Sequence, residues 1–400
     1  MAEPETPIVG WQPLRDVHVL DFSLLLPGPF ATLALADLGA DVFKIEPPGG
    51  DFARRMPSAL FRMANRNKRS MVLDLKRPES GDVVRRLAQW ADVAIEGFRP
   101  GVVERLGIGA AALRAHNPRL IYCSLSGYGQ NGPASHVPGH DLNYLCAAGT
   151  LSLSGHWGER PRRSAIPVAD LAGGTYAAIA ILCALHEREA TGKGRTLDLS
   201  LAEAAMSYGS IRHGLDLDEP SQDHLWPTND LFETADGEYL ALGIVEEHFW
   251  RNFVAAAADI APDLMDARYA TQEQRRRLGD ALALRMREVM RMRGAAHWLS
   301  LFEQEDVPAQ LSLTPAQASR SAQVAGRKMV MAMDGERHIP FPVHVDGDRG
   351  AALRRTAPET GQHSQAILGE IGFDATEIEK LAKSGLFGQH ALRRQPKEAM

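Results

Sequence analysis

The chain has 400 residues, more than one ordinary hydrophobic core supports, so we expect two domains or one large domain with a lobe. Hydrophobic residues make up 44% and charged residues 24%, as in soluble globular enzymes, and the net charge of -6 argues against nucleic acid or an anionic membrane as a bulk partner. The first residues have no apolar core that would mark a signal peptide, no apolar stretch approaches the roughly 20 residues of a membrane span, and the three cysteines form no C-x-x-C pair. We therefore predict a cytoplasmic protein.

The first half of the chain alternates strand and helix patterns. A strand is predicted over residues 17–22, then a helix over residues 30–38 that opens at Pro29 and closes at Gly39. An amphipathic helix over residues 79–90 follows, and then a long, mostly buried helix from residue 171 that ends at the glycines Gly192 and Gly194. Further strands are predicted at residues 41–45, 70–75, 92–98, 120–129 and from residue 195. This alternation predicts an α/β fold around a parallel sheet with right-handed connections.

The character of the chain changes near residue 215. Residues 215–230 are polar and contain two prolines, which predicts a linker, and residues 231–245 predict a hairpin with an Asp236-Gly237 turn. Helical patterns continue to about residue 300, and a last helix is predicted at residues 374–384. We therefore divide the chain into a large α/β domain over residues 1–215, a smaller middle domain over residues 216–330, and a C-terminal segment over residues 331–400.

The turn after the first strand reads SLLLPGP and lacks the G-x-G-x-x-G pattern that lets a backbone approach a dinucleotide pyrophosphate, so NAD is disfavoured. Basic residues cluster instead in two stretches of the same domain, FRMANRNKRS and FRPGVVERLG. Guanidinium groups bind phosphates through paired hydrogen bonds, so these stretches are candidates for a phosphate site, and a solvated surface is the alternative. Their basic residues are Arg62, Arg66, Lys68, Arg69, Arg99 and Arg105.

His140 and Asp141 lie side by side at the predicted start of a helix. Either Asp141 caps that helix and His140 is incidental, or the pair acts on a substrate held at the helix end. Taken alone, Asp170 would be the cap of the long helix that follows it, and Glu246 would be a solvated helix start. No ligand spacing suggests a metal site.

The chain contains, in this order, FSLLLPGPFATLALADLGADVFKIEPPGGD, NRNKRSMVLDLK, IEGFRPGVVERLG, YCSLSGYGQNGP, PGHDLNYL, VADLAGG and TADGEYLALG. Together these stretches resemble the family III CoA-transferases, the CaiB/BaiF superfamily, with the closest motif match to its α-methylacyl-CoA racemase branch. The resemblance implies a large Rossmann-like domain that residues 331–400 rejoin, plus a smaller α+β middle domain. It also implies a homodimer whose two chains interlock like rings.

The same resemblance implies where CoA binds and what Asp141 does. CoA would be part of the substrate, with no permanently bound cofactor. In the transferases the aspartate that matches Asp141 is a nucleophile that forms an aspartyl-CoA thioester, so that one hard transfer becomes two easier ones. The residues expected on the CoA nucleotide are Asn67, Lys68, Arg69, Arg99 and Arg105.

In the racemases the sequence GHD is typical, and its histidine, here His140, is a catalytic base. Its partner matches Asp170, and a glutamate that matches Glu246 lies close. Inversion of the carbon next to a thioester needs a proton-transfer group on each face and donors for the enolate oxygen, for which the backbone N–H of Asp141 is suited. We therefore expect an α-methylacyl-CoA racemase or epimerase that acts on an acyl-CoA thioester.

Two alternatives stay open. The first is a CoA-transferase that moves CoA between carboxylic acids through Asp141 and takes a free carboxylic acid as its second substrate. The second is a catalytically idle CoA-binding protein. Residues 221–232 lack the glycine-rich GG-P-Y segment that is usual in racemases, so the acyl group is not specified.

Overall fold

The computed structural model describes residues 10–56, 58–153, 155–157, 162–215, 225–351 and 353–388, except for the side chains of residues 212 and 213. The chain divides into two compact units. Unit 1 comprises Met1–Ala148, Ile166–Tyr208 and Ala322–Met400, and unit 2 comprises Gly149–Ala165 and Gly209–Ser321. Most of the predicted linker, residues 216–224, lies outside the described residues.

Unit 1 is built on a six-stranded parallel sheet, which confirms the predicted α/β fold. Its strands are β1 (His18–Asp21), β2 (Asp41–Glu46), β3 (Lys68–Val72), β4 (Val93–Glu96), β5 (Ile121–Ser126) and β6 (Thr196–Ser200). The spatial order is β3-β2-β1-β4-β5-β6, which is the strand order of Rossmann folds. In register, Val19 of β1 lies opposite Val42 of β2 on one side and Val93 of β4 on the other.

Helices connect these strands. They are α1 (Pro27–Asp37), α2 (Leu60–Ala64), α3 (Ser80–Trp90), α4 (Val102–Arg105), α5 (Ala110–His116), α6 (Asp141–Ala147), α7 (Val168–Thr191) and α8 (Leu201–His213). The first helix begins at Pro27, not at Pro29 as predicted, because the N–H groups of a first helical turn have no intrahelical partner and proline is tolerated there. The long helix ends as predicted at Gly192, which adopts a left-handed φ of 68°.

The long helix α7 packs closely on α1. A Cβ atom at Gly174 would lie only 2.7 Å from the carbonyl oxygen of Pro27. By length and composition α7 is apolar enough to cross a membrane, although the sequence predicts no apolar stretch of that length. The two results differ because a mean hydropathy over a window of residues can be high even where polar residues interrupt the apolar run. Half of that window is buried inside the structure, and one such helix is weak evidence for a membrane span.

Unit 2 combines a small antiparallel sheet with helices. Its sheet has the order β7-β8-β9, formed by β7 (Leu231–Glu233), β8 (Tyr239–Leu242) and β9 (Ala309–Leu311). Gly237, with a left-handed φ of 78°, forms the predicted hairpin turn. The helices are α9 (Glu247–Ala256), α10 (Gln272–Arg277), α11 (Gly279–Met290), α12 (Ala295–Gln304) and α13 (Pro315–Ala318). Trp250, Phe253, Trp298 and Phe302 fill the core between them.

The C-terminal part of unit 1 returns to the parallel sheet. It contains α14 (Ala322–Gly326), β10 (Met331–Met333), β11 (Glu336–His338), β12 (His344–Val345), β13 (Asp348–Arg349), α15 (Ser364–Glu370) and α16 (Ala375–Lys383). Ile367 and Ile378 share a hydrophobic core with Leu20 of β1. Residues 149–165, which the sequence boundaries gave to the large domain, lie in unit 2, since no change of composition marks the crossing.

Candidate active site

The loops at the carboxyl ends of β1, β4 and β5 meet where the strand order reverses. A Cβ atom at Gly97, which follows β4, would lie 3.7 Å from Cβ of Ser23 after β1 and 3.5 Å from the carbonyl oxygen of Leu125 in β5. Open parallel sheets bind their ligands at such a switch point. From the topology of unit 1 we therefore expect the ligand site at these loops and at the helices that follow them.

Helix α6 begins beside this edge, and His140 is its N-cap residue. The backbone N–H of His140 donates to Oδ1 of Asn143 at 3.0 Å, and the backbone N–H of Asn143 donates back to the carbonyl oxygen of His140 at 2.8 Å. The His140 residue is exposed. Asp141 is the first residue of α6 and not its cap, so the cap role considered for it in the sequence analysis is wrong for this helix.

The carboxylate of Asp141 caps α7 instead. Its Oδ1 accepts hydrogen bonds from the backbone N–H groups of Ala169, at 2.7 Å, and Asp170, at 3.3 Å. These are first-turn N–H groups that have no partner within a helix, and the positive end of the helix dipole favours a carboxylate there. Asp170 is the third residue of α7 and does not cap it. The start of α6 and the start of α7 are thus joined through Asp141.

Asp170 is the most perturbed carboxyl group of this region. Burial, followed by the nearby charge of Asp141, raises the pKa of Asp170 to about 7 from 3.8. In the described part of the chain, no hydrogen bond reaches its carboxylate. A carboxyl group with such a pKa is present in both protonation states near neutral pH, as a general acid or base must be.

Tyr144 forms an aromatic wall next to Asp170, and sequence reasoning missed it. Its hydroxyl donates to the carbonyl oxygen of Gly139 at 2.5 Å, and Tyr128 packs edge-on at 5.3 Å between ring centroids. Burial first, then the charge of Asp170, raises the pKa of Tyr144 to about 12, and Arg99 opposes that rise. Tyr144, Asp170 and Arg99 therefore share one electrostatic environment.

The structure places Lys68 inside the protein. It is fully buried, and its Nζ donates to Oδ2 of Asp21 at 3.0 Å, the carbonyl oxygen of Pro29 at 2.9 Å and Oδ1 of Asn65 at 2.9 Å. Burial alone would raise the pKa of Asp21, but the charges of Lys68 and Lys44 outweigh it and lower that pKa to about 2. All three protons of Lys68 are engaged, so a direct contact with a CoA phosphate would have to displace one of these bonds.

The neighbours of Lys68 hold the C-terminal segment. Asn67 has a left-handed φ of 63°, its Nδ2 donates to Asp37 at 2.8 Å, and its Oδ1 accepts from the backbone N–H of Arg354 at 2.7 Å. Arg69 pairs with Asp41 and, at 2.7 Å, with Glu370. The other arginines of this stretch pair with acids too, Arg66 with Asp37 at 2.6 Å and Arg62 with Glu336 at 2.8 Å. Contact of residues 67–69 with the CoA nucleotide stays a prediction.

Arg99 lies in the loop after β4 and Arg105 is the last residue of α4, and both residues are exposed. Neither side chain forms a hydrogen bond or an ion pair with the described part of the chain. Nη1 of Arg105 would lie 3.5 Å from a Cβ atom at Gly101, so this guanidinium folds back over the turn that carries Arg99. Two unpaired guanidinium groups beside one turn fit the phosphates of a nucleotide.

Glu246 belongs to unit 2. It is exposed and is the N-cap residue of α9, and its side chain does not cap that helix. Its neighbour Glu247 pairs instead with Arg275 at 2.7 Å. Within the described residues, no group of three or more His, Cys, Asp or Glu side chains is placed to hold a metal ion.

The loop after β1 carries a feature without a sequence signal. Leu25 adopts a left-handed φ of 65°, which costs a non-glycine residue about 1–3 kcal/mol. Its backbone N–H donates to both carboxylate oxygens of Asp51, at 3.2 and 3.3 Å, and Asp51 pairs with the fully buried Lys44 at 2.9 Å. Because Lys44 also donates to the carbonyl oxygen of Ser23 at 2.9 Å, buried charges fix this loop at the sheet edge.

Comparison with known proteins identifies the family. The family model described as CoA-transferase family III matches residues 14–364. A crystal structure of a CaiB/BaiF family protein from Brucella suis superposes with a TM-score of 0.79 at 28% identity, covering 91% of this chain and 100% of the other.

Curated relatives that are named as racemases and others that are named as CoA-transferases match nearly the full length of this chain. The α-methylacyl-CoA racemase of Homo sapiens is 33% identical, with 92% of this chain and 96% of the relative covered. The succinyl-CoA:glutarate CoA-transferase of Mus musculus is 31% identical, with 97% and 93% covered. The chain therefore belongs to CoA-transferase family III.

Proposed function

We propose that this enzyme is a racemase or epimerase of 2-methyl-branched acyl-CoA thioesters, in which His140 and Asp170 exchange the α-proton on opposite faces. The observation that carries the proposal is the pKa of about 7 at Asp170, caused by burial and by Asp141. Proton-transfer groups work best when their pKa lies near the operating pH, because both protonation states are then populated.

The link through Asp141 supports the pairing of these two groups. His140 directly precedes Asp141, and Oδ1 of Asp141 binds the backbone N–H of Asp170 at 3.3 Å. An imidazole and a carboxyl group therefore come from two helix starts held together by one side chain. The backbone N–H of Asp141, in the first turn of α6, is the donor that we assign to the enolate oxygen.

CoA is the carrier of the acyl group in this proposal, held by Arg99 and Arg105, and no permanently bound cofactor takes part. The cytoplasmic assignment is kept, since Cys123, Cys146 and Cys183 all carry free thiols, as expected of a reducing compartment.

A homodimer of interlocked chains is also part of the proposal. Exposed apolar side chains on α7 and α8 support a second copy as a partner, because exposed apolar surface marks sites of contact with another protein. They are Ile179, Met206, Tyr208 and Ile211, with exposed fractions of 50%, 42%, 43% and 83%.

Glu246 is the third catalytic group of the proposal, because its segment resembles the corresponding segment of the racemases.

One observation favours the second candidate, a CoA-transferase with Asp141 as nucleophile. Asp141 is only half-buried, and its Oδ2 accepts no hydrogen bond from the residues that the structure describes. That oxygen is free to attack a thioester carbonyl, and a free carboxylic acid would then take the CoA.

Incubation with a 2-methylacyl-CoA in deuterated water separates the two candidates. Deuterium that enters the α-carbon without any added carboxylic acid supports the racemase. A new CoA ester that forms only when the acid is present, with no α-exchange in its absence, supports the transferase and overturns the first proposal. His140→Ala should lower α-exchange about a hundredfold or more, as expected for loss of a general base.

A further inference from the structure

We propose that Glu96 is a positioning residue for CoA, and that its carboxylate fixes the turn over residues 97–101 so that Arg99 faces the CoA phosphates. This inference rests on the proposed binding of CoA by Arg99 and Arg105. It adds a residue that never touches the ligand and acts on affinity through the turn.

The turn is held from both sides. Glu96 is the last residue of β4, and its Oε2 accepts a hydrogen bond from the backbone N–H of Phe98 at 2.7 Å. The carbonyl oxygen of Arg99 accepts from the backbone N–H of Val102 at 3.2 Å, where α4 begins. Gly101 between them has a left-handed φ of 79°, which only glycine adopts at no steric cost. The backbone around Arg99 is therefore fixed, while the Arg99 side chain is exposed.

A buried carboxylate at Glu96 costs free energy of desolvation. The residue is only 1% exposed, and its Oε1 is buried without a hydrogen-bond partner among the described residues. Burial, with smaller contributions from the charges of Glu104 and Asp198, raises the pKa of Glu96 to about 6, and the Ser124 hydroxyl and the backbone N–H of Phe98 oppose that rise. A neutral glutamine would accept the same N–H without this desolvation, so holding the turn structurally does not by itself require a carboxylate.

The surroundings of Glu96 make the stability of the turn depend on pH. Glu104 faces it from α4, Asp198 from β6, and Tyr122 and Cys123 from β5, and none of these neighbours supplies a positive charge. A charged acceptor binds an N–H about twice as strongly as a neutral one. When Glu96 is protonated, its hold on Phe98 weakens, and we expect CoA affinity to fall.

The test measures the Kd of a CoA analogue by calorimetry between pH 5 and 8. The probe is 3′-dephospho-CoA, because the 3′-phosphate of CoA itself titrates near pH 6, whereas the remaining diphosphate does not. For wild type, the Kd should rise by up to about tenfold from pH 7.5 to pH 5, as expected when one group with a pKa near 6 must be ionised. For Glu96→Gln, the Kd should be higher at pH 7.5 and independent of pH.

Two further variants separate this role from a structural one. Glu104→Gln removes a charge that raises the pKa of Glu96, so the pH at which affinity falls should move downward. In an Arg99→Ala background, Glu96→Gln should have no further effect on Kd, because it acts through Arg99. Thermal unfolding of each variant verifies that it is folded.

Several outcomes would overturn the inference. A wild-type Kd that does not vary with pH, or a Glu96→Gln variant with wild-type affinity and pH profile, contradicts it while leaving the proposed function intact. A Glu96→Gln variant that fails to fold, together with a Glu104→Gln profile that does not move, also contradicts it. Wild-type protein that binds neither CoA nor its dephospho form overturns the proposed function itself.

Discussion

Asp141→Asn is the most informative single change at the candidate site. The side-chain oxygen of asparagine can still accept the N–H groups of Ala169 and Asp170, so the cap of α7 is kept while the negative charge is lost. The pKa of Asp170 then falls, because Asp141 is the second cause of its rise from 3.8 to about 7, after burial. As the smaller of two causes, Asp141 accounts for less than half of that rise, so we expect a fall of about one pH unit, or about 1.4 kcal/mol.

The assay follows kcat/KM for α-deuterium exchange against pH, with the substrate enantiomer whose proton Asp170 removes. In wild type the rate should fall below about pH 7, because protonated Asp170 is not a base. In Asp141→Asn this limb should move to about pH 6, with measurable activity kept. Asp170→Asn serves as the control and should lose the exchange altogether.

Two results would contradict this expectation. If the acid limb of Asp141→Asn stays where it is in wild type, the charge of Asp141 does not act on the catalytic group. If Asp141→Asn is inactive while His140→Ala is active, Asp141 is a nucleophile, His140 is an accessory neighbour, and the transferase replaces the racemase.

Four further measurements test other parts of the structure. Asp170→Asn should have the wild-type free energy of unfolding near pH 4 and exceed it by at most about 4 kcal/mol above pH 7, because the raised pKa of Asp170 in the folded protein makes wild-type stability fall as the pH rises from about 4 to about 7. If urea titrations show the same pH dependence for wild type and variant, this expectation is wrong. Lys68→Met should lower the free energy of unfolding by about 3–5 kcal/mol, since it leaves Asp21 buried with one cation fewer, and a loss below about 1 kcal/mol would argue against the pair. Arg105→Ala should weaken CoA binding more than it slows α-exchange, and an unchanged Kd for CoA would remove Arg105 from the nucleotide site. Tagged and untagged dimers should form no hybrids under native conditions, because interlocked chains must open a domain to separate, so rapid hybrid formation would exclude interlocking.

Local patterns predicted much of unit 1. The strands β1, β2, β4 and β5 and the helices α3 and α7 lie within a few residues of their predicted positions, because hydrophobic periodicity and glycine or proline punctuation act over short stretches of chain. Gly192 ends α7 for this reason, since the left-handed conformation that closes the helix depends on that residue alone. The adjacency of His140 and Asp141 at a helix start was equally visible.

Partners of charged residues were decided only by the tertiary structure. The stretch NRNKRS is basic and predicts a phosphate-binding surface, yet Lys68 pairs with Asp21, which lies 47 residues away in the sequence. The two residues meet because β3, β2 and β1 are neighbours in one sheet, where Lys68 is buried. Asp141 caps a helix whose N–H donor, Ala169, lies 28 residues further along the chain, and no sequence pattern near either residue indicates that contact. The pKa values of Asp170 and Glu96 follow from burial and from charges on other elements, which are set by the neighbours that the sheet order brings together. Desolvation and Coulomb interaction depend on distance in space, so no spacing along the sequence encodes them.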